Sequence, residues 1–245
     1  MTAAAGAARA WCAEMSAALL FDVDGTLADT LGAGKAALAA AMSEVYGETG
    51  PVDGFDFHGR TDPEIVRGLL HAAGRSDADI DPGFGDLWPR YLARLNAELA
   101  ALNGRAVALA GVLELLDLLQ DDDRFACGLV TGNLAEGARL KLAAVGCAGR
   151  FTFGAYGSDA EERDALPAFA LARAERKYGR SFDPRRSVVI GDTPADIRCA
   201  RAAGMRVLAV ATGRHSEHEL AGHHPDAVFS DLSETQRVVE FFLDA

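Results

Sequence analysis

Lysine is scarce in this 245-residue chain: Lys35, Lys141 and Lys177 are the three, and arginines supply the rest of the 24 basic residues. Against 36 Asp plus Glu, the formal charge is −12. A protein that grips nucleic acid through its phosphates needs a basic face, so no nucleic-acid partner is expected. Cysteine is sparse as well. Cys12, Cys127, Cys147 and Cys199 form no CxxC pair and no metal-ligand spacing, which implies reduced, mostly buried thiols in a cytoplasmic protein. No apolar run approaches the ~18 residues of a membrane span, so no membrane partner is expected. A secretory leader is not expected either, because the apolar stretch after the Ala-rich start runs straight into Asp22. Residues 1–16 read as a flexible tail, with Met15 as a candidate start.

What is present suits a folded enzyme, with 49% hydrophobic and 24% charged residues. Short apolar runs alternate with helical patterns, which predicts an α/β fold: a Rossmann-like, mostly parallel sheet covered by helices. The expected strands are Ala17–Val23, Phe125–Val130, Phe151–Phe153, Ser187–Ile190, Arg206–Ala211 and Ala227–Phe229. The expected helices between them are Val112–Gln120, Ala135–Val145, Leu166–Tyr178 and Pro194–Ala203. Residues 31–110 break the rhythm, with helical patterns at Gly34–Tyr46, Pro63–Ala73 and Phe84–Leu102 and no buried strand. They read as an inserted helical cap on a core of 17–30 and 111–245, with hinges at Gly32 and Gly34 and at Asn103-Gly104.

Three strand ends carry chemistry. The first runs into Asp22-Val23-Asp24-Gly25-Thr26. Two carboxylates this close repel, so a positive partner is required. The fourth expected strand ends in Gly191-Asp192-Thr193-Pro194-Ala195-Asp196. Thr193 as N-cap, Pro194 at the first helical position and Asp196 three residues after the cap explain themselves as a helix start. Asp192 remains unexplained. Asp22, Asp24 and Asp192 converging would make a hard oxygen site suited to Mg²⁺. At the second strand's end, Thr131-Gly132-Asn133 could cradle phosphate oxygens or simply form a turn.

In this order and at these intervals, the motifs resemble those of the haloacid dehalogenase-like hydrolase superfamily. The inserted cap resembles that of the branch with phosphoglycolate phosphatase and β-phosphoglucomutase. The resemblance implies a phosphatase acting on a small phosphorylated metabolite, with Asp22 as nucleophile and Asp24 as acid and base. It further implies Mg²⁺ held by the Asp22 carboxylate, the Asp24 main-chain carbonyl and Asp192. Thr131, Gly132 and Asn133 would then bind phosphate, with Asp196 in support. The family's third motif is a lysine, and none stands in that place. Arg163 is the best substitute, keeping the permanent charge on a planar fork. Lys141 and Lys177 are expected to be solvated.

In the cap, Thr61 or Asp62 caps a helix that Pro63 opens, which leaves His58 and Arg60 unexplained. Arg60 is a candidate clamp for a second anionic group of the substrate, with a solvated charge as the alternative. Gly32-Ala33-Gly34-Lys35 is no P-loop, because position 29 is Asp where the leading glycine should be. His215, His218, His223 and His224 read as solvated residues on a mobile loop. A mutase on the same core, or a silent phosphate-binding regulator, would be rival readings. A Schiff-base hydrolase would need a cap lysine, and Lys35 lies too near the hinge. The protein is expected to be a monomer or homodimer.

Overall fold

The computed structural model describes residues 17–244; the tail, the candidate start at Met15 and Cys12 lie outside the described residues. Strand β1 (Ala17–Phe21) is buried on both faces. Its side chains alternate between two cores: Ala17, Leu19 and Phe21 face one, Ala18 and Leu20 the other. The parallel sheet is completed by β4 (Phe125–Thr131), β5 (Gly154–Tyr156), β6 (Val188–Gly191), β7 (Arg206–Val210) and β8 (Ala227–Phe229), in the order β5-β4-β1-β6-β7-β8. Helices α5 (Val112–Gln120), α6 (Ala135–Ala144) and α10 (Thr235–Leu243) cover the first face. The second is covered by α7 (Leu166–Tyr178) and α8 (Pro194–Ala202). The chain winds one way from β1 to β4 and β5, then crosses back to β6 and onward. Ligands of open α/β sheets bind beyond the carboxyl ends of the strands at such a reversal.

Between β2 (Ala28–Asp29) and β3 (Val107–Ala108) lie α1 (Ala33–Tyr46), α2 (Asp62–Ala72), α3 (Asp77–Ile80) and α4 (Phe84–Ala101). They have their own core, built on Leu38, Met42, Leu69, Leu70, Leu87, Tyr91 and Leu95, to which Leu134 of the sheet domain contributes. The two-residue strands β2 and β3 pair antiparallel and tie the ends of this insertion together. Gly32, Asn103 and Gly104 adopt positive φ at its two ends.

Several expectations need correction. The strand expected at Phe151–Phe153 forms at Gly154–Tyr156 instead, paired with Leu129–Thr131. The aromatic residues ahead of it are packing groups: Phe151 meets Phe21 at 5.7 Å between ring centroids, and Phe153 fills the space above Gly128. The histidine segment contains a short helix, α9 (Glu217–Ala221), closed by a capping box between Ser216 and Glu219 and anchored by buried Leu220. Helix α10, with buried Val238 and Phe242, has no counterpart in the sequence reading.

Candidate active site

Because β4, β1 and β6 are neighbours, their carboxyl ends bring Thr131, Asp22 and Asp192 together. These residues line a cavity of about 570 Å³ between the sheet domain and the insertion, as do Asp24, Gly132, Asn133, Arg163 and Arg60. Asp22 directly follows β1, and its amide donates to the Ile190 carbonyl at 2.9 Å. Gly25, at φ +78°, turns the chain back so that Thr26 Oγ1 donates to Asp192 Oδ1 at 3.1 Å.

Burial dominates the electrostatics. It pushes the Asp22 carboxyl up to about 6, against the pull of Arg163, with Asp196 and Asp24 adding to the rise. The same burial, reinforced by Asp196 and Asp22, raises Asp192 well above the usual carboxylate range. Arg163 sits in a short 3₁₀ turn, Arg163–Ala165, just before α7. It is fully within the protein, with Nη2 3.1 Å from Asp22 Oδ2 and also bonded to Asp196 Oδ1. Burial works against its charge, but Asp196 and Asp22 more than offset that, and the guanidinium stays protonated. Its Nε finds no hydrogen-bond partner among the described residues.

Carboxylate oxygens of Asp22, Asp192 and Asp196 lie within 4.8 Å of one another, the one such cluster found among the described residues. Asp196 is already occupied. Its Oδ2 accepts from Thr193 N at 3.0 Å and Thr193 Oγ1 at 2.7 Å, and its Oδ1 takes Arg163. That leaves Asp22, held on Oδ2 by Arg163, and Asp192, held on Oδ1 by Thr26, as hard-oxygen donors, and Cβ atoms at Gly25 or Gly213 would run into the Asp192 carboxylate. The donor set and the clearance around it fit a small divalent cation.

Asn133 Nδ2 donates to Asp24 Oδ2 and to Thr131 Oγ1, both at 2.8 Å. Lys141, expected in solvent, is instead buried on α6 with its Nζ among Asp24 and Asn133 oxygens. The signal was there. Lys141 falls on the helical face of Gly137, Ala138 and Leu142, a lysine within an otherwise small and apolar stripe. Lys177 is exposed.

The insertion closes over this floor. Asp62 N donates to the Gly132 carbonyl at 2.7 Å, and Asp62 Oδ2 accepts from Leu134 N at 2.8 Å. Thr61, not Asp62, caps α2, accepting from Glu64 N. Arg60 lines the cavity but already bonds Glu64 and the Asp56 carbonyl, with its guanidinium over Phe55. His58 Nδ1 lies 2.9 Å from Asp56.

Known proteins resemble this chain along most of its length. The chain is 27% identical to pyrophosphatase PpaX of Bacillus pumilus over 225 residues, spanning 90% of this chain and 95% of that protein. It is also 27% identical to a phosphoglycolate phosphatase of Agrobacterium fabrum, spanning 89% and 90%. A solved hydrolase from Pseudomonas syringae has the same fold, with a TM-score of 0.68 at 20% identity over 92% of this chain and 98% of that one. Residues 19–210 match the family described as haloacid dehalogenase-like hydrolase, and this chain belongs to that family.

Proposed function

We propose that the chain is a Mg²⁺-dependent phosphatase that hydrolyses a small phosphorylated metabolite, a phosphoglycolate-like phosphomonoester, through an aspartyl-phosphate on Asp22. The relatives named as phosphatases support this reading. The observation that carries it is the Asp22 carboxylate, buried beneath the cavity beside a permanent cation, Arg163, with the Asp24 side chain half exposed next to it.

In this reading Asp22 attacks phosphorus, and the departing alkoxide takes a proton from Asp24. Asp24, now ionised, removes a proton from the water that cleaves the aspartyl-phosphate, which restores both residues. Thr131, the Gly132 amide and Arg163 bind the non-bridging oxygens, where charge accumulates. The Asn133 side chain, expected beside them, instead spends both N–H bonds on Asp24 and Thr131 and its oxygen on Lys141. The Asp22 carboxylate, the Asp24 main-chain carbonyl and Asp192 would hold Mg²⁺, which when bound supplies charge neutralisation between nucleophile and phosphate. Asp196 holds Arg163 in place through Nη2. Residues 31–110 act as the cap over the core, and Arg60 exchanges Glu64 for a second anionic group of the substrate.

The test is a phosphate-release screen over a panel of phosphorylated metabolites with Mg²⁺, run beside Asp22→Asn. Release from at least one member, abolished in the variant, is expected. Release from none would overturn the reading, and transfer of phosphate to another hydroxyl without net release would favour a mutase.

A further inference from the structure

We infer that Lys141 is a positioning residue for proton transfer: it holds the Asp24 carboxylate in its working orientation, and the seated cap holds Lys141 there. The inference rests on the proposed role of Asp24 as proton donor to the leaving group. Lys141 Nζ lies 2.8 and 2.7 Å from the two Asp24 oxygens and 2.7 Å from Asn133 Oδ1. Those three acceptors use all three N–H bonds of the ammonium group. Asn133 then donates from Nδ2 to Asp24 Oδ2 at 2.8 Å, so both carboxylate oxygens are fixed from the core side. The other side of Asp24 faces the cavity. Without Lys141 only the Asn133 bond to Oδ2 would hold this carboxylate, and misplacing a reacting group by even about 1 Å can cost a hundredfold in rate.

Lys141 itself is closed in by the cap. Gly34, in the first turn of α1, sits so close that a Cβ there would lie 3.0 Å from Lys141 Nζ and 3.3 Å from its Cε. Tyr91 on α4 and the buried carboxylate of Asp62 on α2 complete the surround: Lys141 pulls the Asp62 carboxyl down, and Asp62 pushes the Tyr91 hydroxyl up. Gly34 is thus not the hinge its sequence suggests. It lies inside α1, and its missing side chain makes room for the lysine.

The test compares two aryl esters of similar shape, phenyl phosphate and p-nitrophenyl phosphate, through kcat/KM, which reports the steps up to formation of the aspartyl-phosphate. Phenolate leaves poorly without a proton and p-nitrophenolate leaves readily. Lys141→Met, which fills the same space, is expected to lower kcat/KM for phenyl phosphate about a hundredfold, and for p-nitrophenyl phosphate less than about tenfold. Gly34→Ala is expected to move the same ratio in the same direction, because a Cβ 3.0 Å from Nζ pushes the ammonium off Asp24. This second variant carries the test should Lys141→Met fail to fold. Equal losses on both esters, or no loss on either, would overturn the role of Lys141. A Gly34→Ala protein with the unaltered ratio would overturn the part assigned to the cap. A protein that releases phosphate from neither ester nor any member of the metabolite panel would instead defeat the phosphatase reading, and this inference with it. One that acts only on panel members is compared on an alkyl and an acyl phosphate, whose leaving groups differ in the same way.

Discussion

Removing the Arg163 charge is the most informative perturbation of stability. In Arg163→Met the volume is roughly kept, but Asp22 and Asp196 lose their shared cation. Both carboxylates are buried, and the guanidinium bonds each directly. Leaving one partner of a buried pair uncompensated costs about 3–5 kcal/mol. For a domain of this size, 1 kcal/mol shifts Tm by roughly 2–4 °C, so the loss should be roughly 6–20 °C in EDTA. Calorimetry or a thermal melt followed by circular dichroism measures it. Arg163→Lys should recover most of the loss, since an ammonium group keeps the charge and leaves no orphaned Nε behind. A Met variant within about 1 kcal/mol of the parent, or a Lys variant no better than Met, would refute the claim that Arg163 is the charge compensator of this floor.

Three more outcomes follow from the same geometry. Asp62 is pushed up to about 6, chiefly by burial, with Lys141 and the Leu134 amide pulling the other way. Its ionised form therefore destabilises the fold above about pH 6, a cost absent below the unfolded value of 3.8 and worth up to about 3 kcal/mol. Asp62→Asn, which keeps an acceptor for Leu134 N–H, should melt above the parent at pH 7.5, with the difference shrinking as pH falls from 6 towards 4. A difference independent of pH would contradict this. Mg²⁺ at a hundred times its Kd should stabilise the protein by about 2.7 kcal/mol, or roughly 5–11 °C, and Asp192→Asn should blunt the response. No Mg²⁺-dependent change in Tm would count against the cation site. Arg60→Ala should raise KM for 2-phosphoglycolate well above any effect on p-nitrophenyl phosphate, and equal effects on both would remove Arg60 from substrate recognition.

The parts legible in the sequence were those with local causes. The N-terminus of α8 follows from Thr193, Pro194 and Asp196 because a helix start is satisfied within four residues, and the observed capping box is that start. The stripe Val112, Leu115, Leu116 and Leu119 is buried as its spacing requires. Asp22, Asp24 and Asp192 stand at strand ends, so an α/β pattern was enough to bring them to one edge of the sheet. Other features depend on partners far along the chain. The partners of Lys141 are Asp24, 117 residues away, and Gly34, so the apolar stripe around it marks a buried face without showing what the lysine meets there. The register of β5 turns on Gly128 opposite Phe153, and β2 and β3 are too short to show any alternation. Arg60 was legible as an arginine without a structural task, but its bonds to Glu64 and Asp56 appear only in three dimensions.

The central claim is covalent: phosphorus passes through Asp22. Rapid acid quenching during Mg²⁺-supported turnover, followed by mass spectrometry of the peptide that contains Asp22-Val23-Asp24, tests it most directly. A phosphoryl group on Asp22 that appears and decays at rates compatible with turnover is the predicted result. Steady phosphate release with no phosphorylated Asp22 peptide, and undiminished release by Asp22→Asn, would contradict it.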